Sequence, residues 1–123
     1  METYETVLKA SEAMGEKSDC AVKAIAIVTN HPYEYVHALF KKHGRKYQDG
    51  TWPHTTDAVI EEIGVILTLA DIPGKSLKTR KFPKKGRYLV TTHKHVIAVV
   101  NGKIEDWTAG RQHRPIQILE IKW

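Results

Sequence analysis

The chain has one cysteine, Cys20, so no disulfide can form within it, and a reducing, cytoplasmic setting is the expectation. No apolar run approaches the ~20 residues that a membrane-crossing helix needs, and residues 1–17 carry acids where a secretory leader would carry bases. A membrane partner is therefore not expected. There is no Cys-x-x-Cys, no His-x-x-x-His on a helical stretch, no Gly-rich phosphate loop and no dinucleotide fingerprint. Those absences argue against a zinc site and a nucleotide-binding module, and no cofactor is expected. Residues 1–19 also contain neither Gln nor Asn, so no side-chain amide lies just upstream of the cysteine.

What is present suits one soluble domain of 123 residues, 41% hydrophobic and 27% charged, long enough to bury a single core. Nineteen Lys and Arg against fourteen Asp and Glu give a net charge of +5. The basic residues gather at 41–46 and 75–87, without interleaved aromatics or a nucleic-acid motif, so solvated loops and helix ends are the expectation rather than a nucleic-acid surface.

The most uniform apolar run, residues 21–28, has Lys23 as its one polar residue and follows Ser18, Asp19 and Cys20 directly. A helix apolar nearly all round belongs inside a domain. Ser18 or Asp19 is expected to cap it through a side-chain oxygen, and Asn30 and Pro32 to stop it. Cys20 then sits in the first turn, where the partial positive charge of the helix end favours a thiolate, the nucleophilic form of the residue. The bland alternative is a small buried hydrophobe.

Three more helices are predicted. Residues 3–14 place Tyr4, Val7 and Leu8, with Ser11 and Met14, at helical spacing. After Pro32, Tyr35, Val36, Leu39 and Phe40 line one face up to Gly44, with His37 at its boundary. Thr55 or Thr56 caps a fourth helix through Val59, Ile60 and Ile63 to Gly64. Residues 65–70 read as a short buried strand or an extended segment. From residue 87 the pattern changes to β-branched and aromatic runs at 88–92, 95–100, 103–108 and 116–122, a small antiparallel sheet. The expected fold is α+β: a helical part over 1–64 and a sheet part over 65–123, the Cys20 helix packed on the sheet.

Asn101-Gly102 is a strong two-residue hairpin signal and sets a register. Val100 falls opposite Lys103, Val99 opposite Ile104, Ile97 opposite Asp106 and His95 opposite Thr108, so these odd-numbered and partner residues share one face. His95 and Asp106 become diagonal neighbours within hydrogen-bonding reach; His93 shares the face but lies further along. A carboxylate beside an imidazole holds the ring in one tautomer and raises its basicity, the orienter and base of a nucleophilic triad. Cys20, His93, His95 and Asp106 are also metal-ligand types, and a zinc site is the rival reading of the same residues.

Asp19-Cys20 opening an apolar helix, followed by the stretch from His95 through Asn101-Gly102 to Asp106, resembles the papain-like cysteine peptidase superfamily, closest to its small single-domain bacterial and bacteriophage members. The resemblance implies Cys20 as nucleophile, His95 as general base and acid, and Asp106 as orienter, with His93 as the alternative base and a peptide or protein substrate. That family usually places an amide donor before the cysteine to complete its oxyanion hole, and here the Cys20 N–H with the Lys17, Ser18 or Asp19 backbone would have to serve. Two functions follow: a cysteine hydrolase or acyl transferase, or a weakly active or inactive fold kept as a binding module for a host protein or nucleic acid.

Overall fold

A computed structural model describes residues 1–122. Its architecture is α+β: α1 (Tyr4–Ala13), α2 (Cys20–Thr29), α3 (Tyr33–Lys42) and α4 (Pro53–Ile63) precede and pack around a sheet of β1 (Ile66–Leu69), β2 (Arg87–Thr92), β3 (His95–Val100), β4 (Lys103–Glu105) and β5 (Gln117–Lys122). The sheet is antiparallel, in the order β1-β5-β2-β3-β4. Among the described residues no helix is long and apolar enough to cross a membrane.

α2 is the central element, flanked by α1 and α3 and laid on β3 and β2. Val22, Ile25, Ile27 and Val28 are fully buried, each contributing about 1.5–3 kcal/mol of apolar burial. Asn30 ends the helix in the left-handed conformation (φ 56°), and the His31 N–H closes back on the Ala26 carbonyl at 3.0 Å. The apolar face of α3 is Tyr33, Val36, Leu39 and Phe40; Tyr33 takes the place expected for Tyr35, which is exposed. α4 starts at Pro53 with Trp52 as its cap residue, so Thr55 is buried inside the first turn and caps nothing.

The Asn101-Gly102 turn has positive φ at both positions (52° and 83°), and Val100 pairs with Lys103, Val99 with Ile104 and Ala98 with Glu105. β4 then ends at Glu105, short of the expected 108. The segment 65–70 is not a buried strand. β1 lies at the sheet edge, paired only to β5, with Ile66 and Leu69 63% and 77% exposed.

Both faces of the sheet carry packed apolar residues. Val96, Ala98, Val100, Leu89 and Ile121 face the helices, whereas Ile97, Val99, Val90, Tyr88 and Ile118 pack under Ile72, Leu77 and Phe82. The basic segment is therefore no free loop: Leu77 is fully buried and its N–H reaches the His113 carbonyl at 2.6 Å. The other basic cluster is likewise partly internal. Arg45 is buried and grips Glu16 with two hydrogen bonds (2.8 and 3.1 Å), while His37 Nε2 (2.6 Å) and the Gln48 N–H (2.9 Å) complete the shell of that carboxylate. This cluster ties the α1–α2 loop, which delivers Cys20, to α3 and the loop after it.

Burial pushes the Glu16 carboxyl up, but Arg45, His37 and the Gln48 N–H outweigh it and hold the group at about 2. A carboxyl held below its ordinary 4.5 lends stability above that pH and loses it as pH falls through about 2, worth about 3 kcal/mol here. Glu16→Gln is expected to destabilise the fold by about 3 kcal/mol at neutral pH, because Arg45 is left buried without its counter-charge. It should also flatten the acid limb of stability between pH 4.5 and 2. Urea midpoints measured across pH test both, and an unchanged midpoint at pH 7 would reject the assignment.

Candidate active site

Cys20 is the first residue of α2, and its position is set by the residue before it. Asp19 is 2% exposed, and its Oδ2 accepts from Ser11 Oγ of α1 at 2.6 Å and from the Tyr33 hydroxyl of α3 at 2.7 Å. Lys23 Nζ lies 3.3 Å from Oδ1. The expected cap does not form: neither Asp19 nor Ser18 gives a side-chain oxygen to the helix N–H groups. Asp19 is spent on three other partners, and Ser18 is exposed in the left-handed region (φ 54°). Burial pushes the Asp19 carboxyl up, yet hydrogen bonds from Ser11 and Tyr33 and the Lys23 charge bring it below its ordinary value. The converse holds at Tyr33, whose hydroxyl is driven well up, by burial first and then by donating to Asp19.

Because Asp19 does not cap, its side chain leaves the first N–H groups of α2 to other partners. The Cys20 N–H has no acceptor among the described residues, as the leading N–H of a helix ordinarily lacks one. The Ala21 N–H turns to the Cys20 sulfur.

His95 opens β3, and its imidazole comes to Cys20 from the end of the strand. In β3 the odd positions Ile97 and Val99 face away from α2, so the shared face anticipated for His95 is not the face that carries the nucleophile helix. His95 escapes that parity because it is the first residue of the strand, where the ring clears the sheet end and meets the N-terminus of α2. Its Nε2 bonds Asp106 Oδ2 at 2.8 Å, and the Cys20 thiol acts on the same ring. Asp106 lies beyond β4, in a turn, and is no diagonal strand neighbour. Thr108, fully buried, holds it there by donating its N–H (3.2 Å) and hydroxyl (2.7 Å) to the same Oδ2. Trp107 packs at a tilt against His95 with ring centroids 5.2 Å apart, and is itself flanked by His113 and by the Arg111 guanidinium at 5.3 Å.

His93 lies apart from this group, exposed in the two-residue turn between β2 and β3, with Lys94 beside it in the left-handed region (φ 56°). The expectation that His93 shares the strand face fails because the strand begins only at His95. Among the described residues no three His, Cys, Asp or Glu side chains are grouped as a metal site.

The Asp106–His95 pair and the neighbouring Cys20 displace two protonation equilibria in opposite directions. Burial pushes the thiol up, but the His95 hydrogen bond, the Val96 N–H, the His95 charge and the Ala21 N–H overcome it, and the net shift is downward. His95 rises to about 9, held protonated first by its bond to Asp106 and then by its bond to Cys20, against burial. Such a site can hold a thiolate beside an imidazolium, a nucleophile with a proton donor next to it.

The three side chains border a cavity of about 820 Å³ between α2, α4 and the helix face of the sheet. Thr51, in the loop before α4, also lines it, and its Oγ1 is buried with no hydrogen-bond partner. Sequence reading missed Ser11, Tyr33, Thr51, Trp107 and Thr108. Only Thr108 had a local signal, standing two residues after an Asp, the spacing of an Asp-initiated turn. No protein-family model, curated protein or solved structure matches the chain.

An ordinary thiol of pKa near 8.5 is about 0.3% thiolate at pH 6. Cys20 is expected to react with iodoacetamide at pH 6 at least about tenfold faster than such a thiol. The imidazolium partner is present below His95's ordinary 6.5 and is lost as pH rises through about 9, so the pair persists across neutrality. His95→Ala should return the alkylation profile to that of a free thiol. Equal rates for the two proteins at pH 6 would dismiss the pairing.

Proposed function

We propose that the chain is a cysteine-dependent hydrolase or acyl transferase with a papain-like arrangement, in which Cys20 attacks an acyl carbon, His95 moves the proton and Asp106 orients and charges the ring. One observation carries this reading: His95 is hydrogen-bonded to Asp106 and borders the same cavity as Cys20, with the thiol lowered and the imidazole raised by one another, at the mouth of a buried helix. A buried structural cysteine has no need of a charged imidazole, and a structural His–Asp pair has no need of a thiol. The resembled superfamily supplies the frame: a cysteine at the N-terminus of a central helix, a histidine opening a strand and an acid or amide after it, with peptide and isopeptide bonds as its substrates.

The oxyanion that forms during attack needs two donors. The Cys20 N–H is one, open at the head of α2. For the second, in place of the missing upstream amide, the reading takes the Thr51 hydroxyl, which lines the same cavity and has no other partner. A purely binding role would leave the paired shifts and the unpartnered hydroxyl without use.

Cys20→Ala is expected to abolish turnover of an activated ester while leaving the melting temperature nearly unchanged. Thr51→Val, which keeps the shape and removes the donor, should lower kcat by about 10²-fold. With Asp106→Asn the charge that sustains the imidazolium is gone, so the alkaline limb of kcat/KM should move from about pH 9 toward the ordinary 6.5 of histidine. Steady-state profiles from pH 5 to 10 decide these points. A biological effect that survives Cys20→Ala would favour the binding module instead.

A further inference from the structure

The cavity itself says what kind of acyl group fits. α2 covers the helix face of β3 and β2, and α4 packs on α3 and shares the core with Leu89, Leu119 and Leu67, with the cavity running between these elements from the thiol. The floor of that cavity crosses four strands, from Val96 on β3 through Leu89 on β2 and Leu119 on β5 to Leu67 on β1, Leu89 and Leu119 being direct partners. Neighbouring strands lie ~4.8 Å apart, and Val96 and Leu67 are each offset by two residues along the strands from the Leu89–Leu119 pair, so this apolar floor makes a trough that runs diagonally over roughly 20 Å with the thiol at one end. Ile60 of α4 lies on its upper side.

This floor is the face of a sheet, not its edge. β2 and β5 are hydrogen-bonded on both sides, so they offer an occupant no backbone donor or acceptor. A peptide laid along the trough would strand its own N–H and C=O groups, at about 1–3 kcal/mol each. The acidic and amide side chains beyond the thiol end, Asp57 and Gln117, are exposed and so belong to the rim. An unbranched aliphatic chain makes no such demand and fills an elongated apolar trough.

We infer that the trough seats the aliphatic chain of a fatty acyl group and presents its carbonyl carbon to Cys20, an assignment that rests on the thiol-hydrolase reading above. In the acylation step Cys20 Sγ bonds to the acyl carbon, the bond from that carbon to the leaving nitrogen, oxygen or sulfur breaks, and the leaving atom takes the proton from His95. Water then gives a proton to His95 and its oxygen to the acyl carbon, releasing the fatty acid and regenerating the thiolate.

The test compares p-nitrophenyl acetate, octanoate and dodecanoate, all below their micelle-forming concentrations. Full burial would give about fourfold in kcat/KM per methylene, so a Cys20-dependent rise of at least about 100-fold from acetate to octanoate is expected. Leu119→Trp and Leu67→Trp, each blocking the trough at a different strand, should collapse that ratio to under about tenfold. Cys20-dependent turnover with a flat chain-length profile overturns the inference and leaves the thiol chemistry standing. If no ester is turned over through Cys20, the hydrolase reading fails, and binding of dansylaminoundecanoic acid to the Cys20→Ala protein decides the trough. A saturable fluorescence rise displaced by dodecanoate and lost in Leu119→Trp supports it, and no saturable rise overturns it.

Discussion

The Asp19 carboxylate is the constraint from which the rest of the molecule follows. An ionised group 2% exposed in a small domain costs several kcal/mol unless its lone pairs are met. Here Ser11 meets them from α1, Tyr33 from α3 and Lys23 from the second turn of α2 itself. Three helices must therefore converge at the residue where α2 begins, and that point cannot drift along the chain without stranding a buried charge. The adjacent Glu16 cluster fixes the loop leading to it in the same way, through Arg45 and His37. Cys20 is the next residue, so its location is decided by polar satisfaction and its burial by the apolar turns that follow. A carboxylate that served as an ordinary helix cap could not do this, since its oxygens would be turned to the N–H groups that the site leaves open.

A second constraint comes from the sheet end. His95 and Asp106 come from the two ends of one hairpin, eleven residues apart, and the tight Asn101-Gly102 turn returns β4 alongside β3 so that the two can meet. Thr108 then takes over where the strand pairing stops, aiming the carboxylate with two donors on one oxygen. The imidazole is thus oriented by a turn, which can point a side chain around the end of a sheet as a strand cannot. Trp107, next to Asp106 in that turn, packs against the His95 ring.

The sequence disclosed those features whose chemistry is local and concealed those that depend on which surfaces meet. The apolar run after Cys20, the change of periodicity near residue 87 and the Asn101-Gly102 turn could be read because propensity and pattern act over a few residues. The nearness of His95 to Asp106 was legible for the same reason, although the route differs: a turn joins them, not a diagonal pair across strands. Strand parity misled at one point. β2 and β3 are apolar on both faces, so alternation could not say which face carried α2. The answer lay with residues 72–82, whose lysines and arginines read as a solvated loop although Leu77 within them is wholly buried. The Asp19 partners and the unpartnered Thr51 hydroxyl were beyond reach, since each is a meeting of segments far apart in the chain.

The mismatch between four helices and five strands is the remaining step. One buried helix can cover about two strands of a twisted sheet, because strands repeat at ~4.8 Å and helices at 8–10 Å. α2 therefore covers β2 and β3, and the two strands beyond, β5 and β1, need a second helix at the same height. α4 supplies it only in part: Pro53 and Gly64 bound a short helix that packs on α3 and reaches Leu67 and Leu119 through the shared core, and the cavity stays open between it and the thiol. A domain optimised for stability alone would close such a gap with larger side chains, since lining atoms without neighbours forgo contact energy. The open trough begins at the thiol, the one place on the sheet where an occupant from outside can be acted on, and this coincidence ties the incomplete packing of the fold to the chemistry proposed for it.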